Sequence, residues 1–131
     1  MSMNEDELLA DALGVAASGH LRKSVLEVDL TLDLPPAAAA ERTRRVLAEL
    51  GRELGVRDDG ETADSQVVGI VGAGAGNLNP AVVTVTIRAA GQGSKLVVRG
   101  AAKEGLIKQH AGGKAARRVA EALADTGGTH A

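Results

Sequence analysis

Between residues 24 and 34 apolar and polar side chains alternate without a slip. Leu26, Val28, Leu30, Leu32 and Leu34 fall on one side of an extended chain, and Glu27, Asp29, Thr31 and Asp33 on the other. A period of two is the pattern of a strand with one buried and one wet face. Such a strand is not stable alone, so the rest of the chain must pair it into a sheet and cover its leucines with a second layer. Pro35 and Pro36 stop the strand and open a helix, because proline suits the first helical turn. Over residues 37–54 the period lengthens accordingly. Ala39, Thr43, Val46, Leu47, Leu50 and Leu54 form an apolar stripe, Arg42, Arg45, Glu49, Arg52 and Glu53 an outer face, and Gly55 stands where a helix-ending glycine belongs.

The remaining elements follow from the same two periods. Residues 5–17 read as a short amphipathic helix with Leu8, Leu9, Ala12, Leu13 and Ala16 on one face and Asn4 as its N-cap. It packs on the domain or on a partner subunit. Residues 57–65 are a polar loop, with room for a short strand around Val56. Residues 66–73 form a strand, 74–80 a turn rich in Gly and Asn, and 81–90 a strand with Val83, Val85 and Ile87 facing one way. Gly91-Gln92-Gly93 makes a tight hairpin into a last strand over 94–102, with Leu96 and Val98 inward and Lys95 and Arg99 outward. Residues 103–112 fit neither period. Residues 113–125 form a final helix with Ala116, Val119, Ala120 and Leu123 on its buried stripe.

Strands joined by short turns pair antiparallel. The expected fold class is therefore α+β, a two-layer sandwich. A mostly antiparallel sheet of four to five strands carries two helices on one face, and a short N-terminal helix precedes it. Residues 1–20 are the helical extension, 21–126 the domain and 127–131 a fraying tail. From residue 24 to 125 this order of elements resembles the helix-grip domains, which include small relatives of the START-like ligand-binding fold and the single repeat of the TATA-binding-protein fold. The resemblance implies a groove between the final helix and the curved sheet. Val28, Leu30, Val85, Ile87, Val98 and Val119 would line it, and an apolar small molecule would fill it.

Composition removes whole classes of chemistry. With no Phe, Trp or Tyr, the core is built of aliphatic side chains, and aromatic cages and base-stacking platforms are excluded. With no Cys, disulfides, thiolate nucleophiles and zinc ribbons are excluded too. Residues 1–11 are acidic rather than basic-then-apolar, unlike a signal peptide, and no apolar run is long enough to span a membrane. The cytoplasm is the expected location.

Several motifs fail on context. The glycines from Gly69 to Gly76 follow a strand as a dinucleotide fingerprint does, but Asn77 stands in the place of the last glycine and another strand follows instead of a helix. His20, His110 and His130 are too scattered for a metal pair, so no metal or cofactor is expected. Ser24, Ser65 and Ser94 lie in no nucleophile elbow, and no catalytic residues are assigned; the chain is expected not to be an enzyme.

Charge is more informative. Residues 81–120 hold eight basic residues (Arg88, Lys95, Arg99, Lys103, Lys108, Lys114, Arg117 and Arg118) against Glu104 alone. Lys114, Arg117 and Arg118 open the final helix after three antiparallel strands. That resembles the end of a double-stranded-RNA-binding domain, whose last helix clamps phosphates. It implies nucleic-acid binding through Lys95, Arg99, Lys114, Arg117 and Arg118 as the alternative to a small apolar ligand. Self-association through the N-terminal helix is the third expectation.

Overall fold

A computed structural model describes residues 4–13, 22–58, 64–73, 79–104 and 110–126. Along the chain run α1 (Glu5–Leu13), β1 (Arg22–Leu32), α2 (Pro36–Leu50), β2 (Gly51–Asp58), β3 (Ser65–Ala73), β4 (Asn79–Ala90), β5 (Gly93–Glu104) and α3 (Ala111–Thr126). The five strands form one antiparallel sheet in the order β1-β5-β4-β3-β2. Four strands are a meander, whereas β1 returns to lie beside the last strand, in register from Arg22 opposite Glu104 to Leu32 opposite Ser94. Helix α2 therefore carries the chain from one edge of the sheet to the other, and α3 comes back over β5 and β1. This is the α+β sandwich that the alternating segments predict, in an element order like that of the helix-grip domains.

One face of the sheet holds the main core. Val67 and Val71 of β3, Val83, Val85 and Ile87 of β4, and Leu96 and Val98 of β5 pack against Ala39, Val46 and Leu47 of α2 and Ala115, Ala116, Val119 and Leu123 of α3. Thr43, a polar member of the α2 stripe, is buried and gives its hydroxyl proton to the Ala39 carbonyl at 2.8 Å, so it costs no unsatisfied donor. The β4–β5 hairpin turns on Gly91, whose φ of 60° is the positive value a type II′ turn requires at its first central position.

The final helix sits unusually close to the sheet because two glycines meet. A Cβ on Gly112 would lie 2.8 Å from the Gly100 carbonyl oxygen and overlap that of Ser24, and one on Gly100 would lie 3.0 Å from the Ala116 Cβ. The first turn of α3 thus rests on the bare backbone of β5 and β1.

Helix α2 is shorter than its sequence pattern. It ends at Leu50, and residues 51–54, expected as its last turn, open β2. Pairing with β3, from Gly51 opposite Val71 to Asp58 opposite Ser65, outweighs the helix propensity of this stretch. Leu54, expected on the buried stripe, is 40% exposed. The register slips between Glu53 and Gly55, and Gly55, at φ 119°, serves a β-bulge rather than a helix end. The strand around Val56 is real and belongs to an eight-residue element. Asn79 and Pro80, expected in the 74–80 turn, open β4; residues 14–17 of the expected first helix, 74–78 of that turn and the 127–131 tail lie outside the described residues.

The opposite face of the sheet is not wholly wet. Helix α1 lies on it, with Leu8 and Leu9 buried against Val68, Val82 and Ala101 and with Ile70 alongside. Its start is a capping box: the Glu7 amide donates to the Asn4 side-chain oxygen at 2.8 Å, and the Asn4 amide donates to the Glu7 carboxylate at 3.0 Å. Glu5 anchors it, accepting from Arg99 Nε at 2.9 Å, Arg99 Nη2 at 3.1 Å and Lys23 Nζ at 2.8 Å. Lys23 also reaches Asp6 at 2.8 Å.

Burial alone would raise the Glu5 pKa, but the hydrogen bonds from Arg99 and Lys23 outweigh it and leave it below the usual value. The hydrogen bond from Lys23 lowers Asp6 as well. Carboxyls depressed in the folded state stabilise docking above their unfolded pKa and lose that contribution as pH falls through the folded one. Lys23 is raised by its hydrogen bonds to Asp6 and Glu5, so its share persists until the solution is strongly alkaline. Docking of α1 is therefore expected to hold through neutral pH and to loosen below about pH 4. Amide hydrogen exchange at Leu8 and Leu9 reads this directly: protection should fall in acid before that of Val85 and Val98.

Candidate ligand groove

The residues expected to line a cavity are brought together at the main core. Val85, Ile87, Val98 and Val119 are completely or almost completely buried, and Val28 and Leu30 pack against the same cluster from the edge strand. None of the six lines the hollows of about 410, 200 and 120 Å³ that described residues form.

The largest of these hollows, about 410 Å³, lies where the start of α3 crosses the edge strand. Ser24, Val25 and Leu26 of β1 form one wall. His110, Gly113, Lys114 and Arg117 form the other. Its shape follows from the two glycines that open the helix. Gly112 lets the first turn drop onto the strand backbone, and Gly113, next to Leu26, leaves the floor open; a Cβ there would meet Leu26 Cδ2 at 3.4 Å and Arg117 Nη1 at 3.9 Å. His110 precedes the helix at φ 53°, and its carbonyl accepts the Lys114 amide at 2.9 Å.

The electrostatics have one sign. Lys114 and Arg117 lie three apart, on one face of α3, beside the positive end of the helix dipole. No described lining residue is acidic. Lys23, Arg44, Arg88 and Arg99 are in ion pairs with carboxylates, whereas among the described residues neither Lys114 nor Arg117 is.

The basic residues expected to act as one nucleic-acid surface are divided. Lys114 and Arg117 share the groove. Arg118 turns to the other side of α3 and donates to the Gly72 carbonyl at 3.3 Å. Arg99 is on the opposite sheet face, bound to Glu5 and 3.5 Å from Glu27. Lys95 is on that face too, in a small hollow of about 120 Å³ with Asp29 and Arg88. Of the glycine-rich stretch, Gly69 and Gly72 lie in β3, which pairs antiparallel with β4, and residues 74–78 are outside the described residues. No group of metal-binding side chains occurs among the described residues, and no described helix is long and apolar enough to cross a membrane.

Ser24, Leu26, His110 and Gly113 were not assigned to a site by their sequence context. The legible signal was Gly112-Gly113 immediately before Lys114, two glycines at a helix start where propensity disfavours them.

No family model matches the chain, and no curated protein matches it. Among solved structures it is similar to Ara h 8.0201, at 12% identity and a TM-score of 0.44 over 80% of this chain and 97% of that one. It is also similar to the Mll3558 protein from Rhizobium loti, at 13% identity and a TM-score of 0.45 over the same shares. At these values the likeness carries neither a ligand nor an activity across.

Proposed function

We propose that the chain is a non-enzymatic binding module for a small amphipathic anion, held in the groove between β1 and the start of α3. The carrying observation is the groove of about 410 Å³, apolar on its β1 side at Leu26 and cationic on its helix side at Lys114 and Arg117. Its volume is that of ordinary small-molecule sites. An anionic head would meet two side chains that no carboxylate among the described residues pairs with, and an alkyl tail would lie against Leu26. Ser24 and His110 both reach the groove, yet no hydrogen bond joins them among the described residues, so the hydroxyl has no base in place. That favours holding over turnover.

A medium-chain carboxylate such as decanoate, with the matching alcohol as its neutral control, tests this by NMR titration. The acid is expected to shift the amides of Ser24, Leu26, Gly113 and Lys114 and the alcohol to bind at least about tenfold more weakly, a charge-assisted contact being worth that much. Reversing Lys114 and Arg117 together (K114E/R117E) should abolish the difference. Equal binding of acid and alcohol, or shifts confined to residues elsewhere, would remove the proposal.

A further inference from the structure

We infer that a second site, on the first turns of α2, takes a small oxyanion, a carboxylate or a phosphate, through Arg42 and Arg45. Its anchor is a hidden donor. Nη1 of Arg42 is buried, and no acceptor lies within hydrogen-bonding distance of it. A guanidinium stays charged at every ordinary pH, and a buried charged donor without an acceptor opposes folding. Neighbouring buried polar groups are satisfied: the Thr43 hydroxyl donates to the Ala39 carbonyl, and the Ser94 hydroxyl to that of Leu34. The unpartnered nitrogen marks a guanidinium that an acceptor from outside the chain would stabilise.

The surroundings suit such an acceptor. Arg42 and Arg45 line a hollow of about 200 Å³ together with Leu34, Ala38 and Glu41. The four helical residues stand at i, i+3, i+4 and i+7, so they share one flank of α2. On the same helix Arg44 has a carboxylate partner, Glu53 at 3.4 Å. Among the described residues neither Arg42 nor Arg45 is in an ion pair, even though Glu41 stands in the same lining. Leu34 and Ala38 place the hollow at the first turn of α2, where the cap Pro35 gives the amides no side-chain acceptor and the positive end of the helix dipole adds to the arginines. Two arginines against one glutamate leave a single positive charge, which suits a singly charged oxyanion. The groove between β1 and α3 shares no lining residue with this hollow, so the two sites stand or fall separately.

Thermal midpoints of the full chain in acetate, phosphate and chloride at equal ionic strength test the site. An oxyanion that binds only the folded chain raises the midpoint by mass action, by about 5 °C at roughly ten times its dissociation constant; chloride should not. Arg42→Met keeps an apolar stem and removes the donor. It is expected to abolish the gain and to melt no lower than the parent in chloride, because no buried donor is left without a partner. K114E/R117E, altered only in the groove, should keep the gain. A gain from acetate alone assigns a carboxylate, from phosphate alone a phosphate, and from both an oxyanion of either kind. Equal parent midpoints in the three salts would overturn the inference. So would a gain that Arg42→Met retains undiminished, since that is a bulk salt effect. Should Arg42→Met fail to fold, the Arg42 Nε–H resonance of the parent decides: a saturable shift with acetate or phosphate supports the site, and no shift refutes it.

Discussion

Replacing Gly112 with valine is expected to lift the first turn of α3 from the sheet and to cost the fold about 3 kcal/mol. The obstacle is backbone rather than a movable side chain. A Cβ at this position would overlap the Ser24 carbonyl oxygen and crowd that of Gly100, and those two oxygens belong to paired strands whose register runs unbroken. Neither strand can retreat without giving up ladder bonds, so the helix must move and expose Ala111, Ala115 and Ala116, all fully buried. The neighbouring glycine should behave oppositely. At Gly113 an added Cβ finds ordinary contact at 3.4 Å, and alanine gains about 1 kcal/mol of helix propensity over glycine. Gly113→Ala should leave stability unchanged or raised while weakening ligand binding, because the methyl enters the groove between Leu26 and Arg117. Urea melts of both variants, with the decanoate titration on the second, separate the structural glycine from the groove glycine.

Leu47→Ala should cost nearly as much, about 3 kcal/mol or somewhat more, the usual range for emptying a leucine site. Leu47 is fully buried, and its side chain covers Gly69 of β3, from whose hypothetical Cβ it would stand only 3.1 Å. Strand and side chain together fill a space that glycine alone leaves open. A core without aromatics has no large flat neighbour to swing into the hole, and a domain of this size has only about 5–15 kcal/mol in total. Leu54→Ala is the matched control. Both leucines fall on one stripe in the sequence, but Leu54 is 40% exposed at the bulge of an edge strand, so its loss should stay within about 0.5 kcal/mol. Equal costs at the two positions would mean that the helix runs on past Leu50 after all.

That pair also shows where the sequence was legible. Alternation in β1, β4 and β5 and the stripe of α3 reflect strong burial on one face, and each was readable without its partners. The end of α2 was not. Residues 51–54 suit a helix locally, and only the pairing of Gly51 with Val71, distant in the chain, makes them a strand. The same is true of the site. The aliphatic residues Val85, Ile87, Val98 and Val119 could be recognised as facing the helix, yet whether such a set closes or leaves a cavity depends on how near the helix comes. That distance is set by Gly100 and Gly112 meeting across the layers, a contact no periodicity reports. Lys114 and Arg117 were identifiable as cations; that Arg118 turns away and that Arg99 belongs to Glu5 depends on which face each element presents.

Native mass spectrometry of the full chain purified from cells at modest salt tests the groove most directly, compared with the K114E/R117E variant prepared in the same way. The parent is expected to carry a small acidic molecule that denaturation releases and that the variant lacks. A parent of bare protein mass that also fails to take up added decanoate, or a retained molecule held equally by both proteins, would contradict a binding site between β1 and the start of α3.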